Sequence, residues 1–154
     1  MKIYSEITEF IDEQTEALSQ SVQALNQFLK DDLVLIIEAM HDTNEIHHFY
    51  LVSKKMDEQN LDINFDYYFQ FGVDQAASHL KQHLFDIYSK LHGEQPLLSK
   101  NDDKSLNETI SFLIDADNKI GLANFNPEIA QFEITSNGFS KVLVNEIAKK
   151  PKAP

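Results

Sequence analysis

Histidine is the residue type in this chain best suited to hold a metal or move a proton at neutral pH, and there are six of them. His79 and His83 stand four apart in the stretch HLKQH, a spacing that on a helix turns both rings to one side. A zinc-protease helix would carry Glu beside the first His. Here Leu80 takes that place, and the stretch offers no third ligand. The pattern therefore reads as two surface histidines flanking a core stripe. His47 and His48 are adjacent on an expected strand, so they point to opposite faces and cannot share a ligand. His41 falls in an expected turn, and His92 at a helix end, where the dipole favours a cation. Asp115 and Asp117 open the stretch DADNKIG with the spacing of a calcium loop. The pattern then fails: Lys119 stands where an oxygen ligand is needed and Ile120 where glycine makes the bend. A hairpin turn is the expectation there, with no metal and no cofactor.

Catalytic chemistry has little to work with. The chain has no cysteine, which excludes thiol nucleophiles, thiolate metal sites and disulfides. Its serines lack a nucleophile-elbow context, and its four glycines form no phosphate-cradling loop. The expectation is a protein that binds rather than one that catalyses. Net charge is −12, from 25 acidic and 13 basic side chains, and every basic one is Lys. Without Arg there is no planar fork to clamp phosphate, so nucleic acid is an unexpected partner. Such an acidic chain is drawn to basic surfaces and repelled by anionic lipid, so a membrane partner is not expected either.

The elements that would position a binding surface follow from periodicity. Ser5 reads as the N-cap of a long first helix whose stripe, in steps of three and four, runs through Ile7, Ile11, Gln14, Leu18, Val22, Leu25 and Leu29. Residues 33–40 and 46–53 read as a hairpin with a turn at 41–44. Residues 63–71 alternate strictly, Ile63, Phe65, Tyr67, Phe69 and Phe71 against Asn64, Asp66, Tyr68 and Gln70, as in a strand with one wet face. Val73, Ala77, Leu80, Leu84, Ile87 and Leu91 mark a second helix ending near Gly93. Residues 94–107 read as a loop, 110–114 as a fourth strand, 115–119 as a turn, 120–125 as a fifth strand and 129–135 as a short sixth. A last helix is expected to contain Phe139, Val142, Leu143 and Ile147. The predicted fold is α+β, an antiparallel sheet of five or six strands packed by helices in the order α-β-β-β-α-β-β-α. Residues 1–150 would form one domain, with 151–154 as a frayed tail. The opening MKIYSEITEF has no basic-then-apolar leader, and no apolar run approaches the ~20 residues of a membrane helix, so the cytoplasm is the expected location.

Three segments resemble the YezG-like antitoxin and immunity proteins. KIYSEITEFIDE is similar to that family's first helix, and LVLIIEAMHDTNEIHHFYLV to its first hairpin, with Glu38 inside the strand. SFLIDADNKIGLANFN is similar to its later hairpin. The resemblance implies a cytoplasmic immunity protein that binds and neutralises the toxic domain of a secreted effector, often a nuclease. Nuclease domains are commonly basic because they hold phosphate, so an acidic inhibitor would be steered onto them and would occlude them without chemistry. The family pattern specifies no contact residues. Strand parity and turn position instead single out Asp62, Asp66, Tyr68, Asp115 and Asp117 as partner-binding candidates, an aromatic anchor with an acidic rim. A monomer suits this reading. The alternative is a type III secretion-type effector chaperone, an acidic homodimer that would need an exposed apolar helix face, with Phe85 and Tyr88 beside the stripe of the second helix as the candidate.

Overall fold

The computed structural model describes residues 7–40, 46–65, 73–121 and 130–142. Its elements are α1 (Ile7–Leu29), β1 (Val34–Met40), β2 (Ile46–Val52), α2 (Lys54–Glu58), β3 (Ile63–Asn64), α3 (Val73–His92), α4 (Lys100–Gly121), β4 (Ala130–Thr135) and β5 (Gly138–Val142). The strands form one antiparallel sheet in the order β3-β2-β1-β4-β5. The α+β class is thus as the sequence predicts. No helix among the described residues is long and apolar enough to cross a membrane.

Strand alternation sorts the sheet's residues. Leu35 and Ile37 of β1, Phe49 and Leu51 of β2, Ile63 of β3, and Phe132 and Ile134 of β4 are all fully buried. The register lines them up in two rows across the strands, Ile63–Leu51–Leu35–Ile134 and Phe49–Ile37–Phe132. Phe65 continues the second row: its N–H donates to the Phe49 carbonyl at 2.9 Å, and the two rings meet edge to face, 5.0 Å apart. The intervening residues Val34, Ile36, Tyr50, Val52, Glu133 and Thr135 are only partly buried. Against the buried rows lies the stripe of α1, with Phe10, Ile11, Leu18, Val22, Leu25 and Leu29 at helical spacing. Each such side chain contributes on the order of 1.5–3 kcal/mol by leaving water.

The end of α1 is fixed by its cap. Lys30 adopts a left-handed φ of 54°, the Asp31 N–H donates back to the Asn26 carbonyl at 3.2 Å, and the Asn26 side chain accepts from the Leu33 N–H at 2.7 Å. Asp31 in turn accepts a hydrogen bond from the Ser53 hydroxyl, which also caps α2 by accepting from the Met56 N–H at 3.1 Å. The short helix α2 was not expected.

The predicted order fails in the second half. Residues 94–107 are not one loop, 110–114 are not a strand, and 115–119 are not a turn; Lys100–Gly121 is one helix, α4. Leu106, Ile110, Leu113 and Ile114, all buried, follow steps of four, three and one, a helical stripe of which the 110/112/114 alternation is only a part. Phe112 flanks that stripe, half-buried. The Asn- and Asp-rich start that resembles a loop is an N-terminus: Ser99 Oγ accepts from the Asp102 N–H at 3.1 Å, and Asp102 and Asp103 occupy the first turn. The expected fifth strand loses Ile120 to α4, and residues 122–129 lie outside the described residues. The expected sixth strand is β4, paired with the central strand β1. The expected last helix is corrected as well: Phe139 and Val142 belong to β5, while Leu143, Ile147 and the tail lie outside the described residues. Ser136 and Asn137 make a two-residue hairpin loop between β4 and β5. Gly138 takes φ 132°, and the Thr135 hydroxyl accepts from the Asn137 N–H at 3.2 Å. Of the expected strand 63–71, Ile63 and Asn64 are seen as β3; residues 66–71 lie outside the described residues.

Candidate functional site

The three long helices do not pack evenly. α1, α3 and α4 share a layer, but where α1 and α3 end and α4 begins they part around a cleft of about 550 Å³, a volume within the ordinary range for ligand sites. Its walls are Ala24, Gln27 and Phe28 of α1 with Lys30 just past its end, Tyr88 of α3, and Asp102, Ser105 and Leu106 of α4; residues 94–98 close one side.

The apolar wall is aromatic because Phe28 stands on the shoulder of the α1 stripe, facing α3 instead of the sheet. Its ring centroid is 5.8 Å from that of Phe85 and 5.6 Å from that of Tyr88. The Tyr88 ring also meets that of His92 in a tilted contact, 4.6 Å between centroids. His92 Nε2 is 2.6 Å from the Leu29 carbonyl. A carbonyl can only accept, so Nε2 donates, and the ends of α1 and α3 are pinned together. Gly93, with φ 72°, then turns the chain out of α3, its N–H bonded to the Ser89 carbonyl at 2.7 Å.

The polar wall carries charge. The Tyr88 hydroxyl donates to a Glu94 carboxylate oxygen at 3.4 Å, and the Lys30 ammonium lies 5.6 Å above the Tyr88 ring centre. The neighbouring Tyr88 holds the Lys30 pKa above its ordinary value of 10.5. The Glu94 carboxylate adds to this more weakly, against a small desolvation effect. Asp102 is the second carboxylate of the cleft. At the rim, Leu97 is 94 % exposed, and it is the one large hydrophobic side chain so exposed among the described residues. Aromatic faces, two carboxylates and an apolar rim can grip a ligand. Among the described residues no group of three or more His, Asp or Glu could hold a metal ion.

The partner-binding candidates named from the sequence sit elsewhere. Asp62 is exposed just before β3, and its carbonyl accepts from His83 Nε2 at 2.8 Å. His83 is thus a structural donor in this geometry, and His79 is exposed on the same helix. Asp66 and Tyr68 lie outside the described residues. Asp115 and Asp117 are not in a turn but in α4, two positions apart and so turned to different sides. Asp115 is exposed and pairs with Lys119 at 3.2 Å, whereas Asp117 is buried at 5 % exposure. None of Asp62, Asp115 and Asp117 lines the cleft. Its sequence signal was there in part: Phe85 and Tyr88 flank a core stripe, and Pro96-Leu97-Leu98 is an apolar step inside a polar segment.

Exposed carboxylates are spread along the helical layer, interspersed with the exposed Lys90, Lys100 and Lys104. Asp12, Glu13 and Glu16 of α1, Asp86 of α3, and Asp102, Glu108 and Asp115 of α4 are all exposed. No family model matches the chain, and no curated protein and no solved structure matches it either, so the fold and the cleft rest on the residues themselves.

Proposed function

We propose that this protein is an immunity protein: it binds a basic toxin domain and neutralises it by occlusion, without chemistry of its own. The observation that carries the reading is the charge, −12 with no Arg, together with the exposed carboxylates spread over α1, α3 and α4. Such a surface steers a cationic partner into contact and suppresses wrong, anionic ones. Two of the segments similar to the YezG-like family, KIYSEITEFIDE and LVLIIEAMHDTNEIHHFYLV, point the same way; the third, SFLIDADNKIGLANFN, was expected as a hairpin and is helix α4 as far as Gly121. Asp62 and Asp115 remain contact candidates because they are exposed; the buried Asp117 is better suited to holding α4 in place.

A chaperone dimer would need the Phe85–Tyr88 side of α3 to be open. That side is taken up by Phe28 of α1, so no observation favours the dimer. The test is growth rescue. The neighbouring reading frame of the source genome should encode a protein whose C-terminal domain arrests growth when expressed alone, and co-expression of this chain should restore growth and co-purify with that domain. A neighbouring toxin domain that kills equally well in the presence of this chain would overturn the proposal.

A further inference from the structure

We infer that the cleft between α1, α3 and α4 is an anchor pocket for a basic side chain, Lys or Arg, presented with apolar neighbours by an extended segment of the partner protein. The inference rests on the reading of the chain as a binder of a basic protein and names the place and chemistry of contact.

Four observations carry it. The Tyr88 ring already holds an ammonium group, that of Lys30, at 5.6 Å, within the ~6 Å over which a ring face attracts a cation. The chain's own lysine thus demonstrates the kind of group the wall accepts. Charge points the same way: Glu94 and Asp102 line the cleft against Lys30 as its one cation, so a further positive charge is balanced and a negative one is not. The nearby start of α4 does not reverse this preference. Its Asp102 N–H is already taken by Ser99, and its first turn carries Asp102 beside Lys100, while Asp103 is paired with Lys81 at 2.6 Å. Finally, Leu97 at the rim, with Pro96 and Leu98 beside it, offers apolar contact that a bare metal or ammonium ion could not use. A long side chain with a methylene stem and a charged head, flanked by apolar residues, matches both surfaces at once. At about 550 Å³ the cleft has room for a short segment instead of a single ion.

The experiment is an amide-resolved NMR titration of the full chain with three blocked tripeptides, acetyl-Leu-Arg-Leu-amide, its citrulline counterpart of equal shape but no charge, and its Glu counterpart. The Arg peptide should shift the amides of residues 94, 95, 97, 98, 102 and 105 saturably, the citrulline peptide should bind at least about fivefold more weakly, and the Glu peptide should leave these amides in place. The double variant Glu94→Gln, Asp102→Asn should bring the Arg and citrulline affinities together. Saturable shifts confined to another surface, no saturable shift, equal binding of the Glu peptide, or an unchanged Arg preference in the double variant would each overturn the anchor. Growth rescue is read separately. Rescue without Arg-peptide binding removes the anchor and leaves the immunity reading standing, whereas Arg-peptide binding without rescue does the reverse.

Discussion

The two sides of α1 meet very different surroundings. Toward the sheet, Phe10, Leu18, Val22 and Leu29 face rows of Leu, Ile and Phe with no exposure at all. Toward α3, Phe28 meets Phe85 and Tyr88 at centroid separations near 6 Å, remains half-buried, and borders an open cleft. The same helix and the same kinds of side chain serve both. The difference lies in what stands opposite: a regular ladder whose register matches residue to residue, or a helix end and a turning segment that cannot fill the space. The first arrangement supplies stability and the second leaves shape and charge available to a ligand.

Substitutions on the two sides should therefore separate stability from binding. The largest effect is expected from Phe49→Ala. It empties a fully buried site and removes the edge-to-face contact with Phe65, and should cost about 3–5 kcal/mol in denaturant unfolding. A loss under about 1 kcal/mol would mean that the rows are not the structural centre. At the cleft side, Ser99→Ala removes the acceptor for the Asp102 N–H. It should cost about 1 kcal/mol of stability and weaken the Arg peptide measurably, because the cleft loses a fixed edge. Unchanged stability would show that α4 starts elsewhere. The smallest effect concerns Lys30. Its folded-state pKa lies above 10.5, so whatever its ammonium contributes is fully present below that pH and is lost only as pH rises through the raised value. Between pH 6 and 9 Lys30 stays charged, so it adds no pH dependence to stability or to Arg-peptide affinity, and a Lys30→Met variant should show the same pH profile over that range, displaced by a constant amount. A profile that diverges there would sink this account of the cleft's charge.

Much of the first half was legible because its elements are uniform. The α1 stripe keeps its steps of three and four with Gln14 as its one polar member, 33–40 and 46–53 are apolar runs separated by turn residues, and the α3 stripe stops at a glycine. The second half misled because two periods overlap in it. Ile110, Phe112 and Ile114 alternate as a strand would, while Leu106, Ile110, Leu113 and Ile114 step as a helix does, and the Asn and Asp before them serve equally as loop or as first turn. Ser99 with Asp102 three residues on was the deciding cue. At the C-terminal side, Asn137-Gly138 was a hairpin signal that outweighs the helical spacing of Phe139, Val142 and Leu143. The cleft was legible only as ingredients, since nothing in one sequence says that Phe28 would face Tyr88, or that residues 94–98 would fold beside both.

The pairing of β1 with β4 has a consequence for the newly made chain. Leu35 and Ile134 are neighbours in the sheet but nearly a hundred residues apart in sequence. At ribosomal speed that interval is on the order of ten seconds. During it the hairpin of β1 and β2 has one bare flank, a row of backbone donors and acceptors open to any passing strand. Synthesis of the stretch between β2 and β4 is therefore the period in which this protein is most prone to stick to copies of itself, and arrival of the closing hairpin ends it.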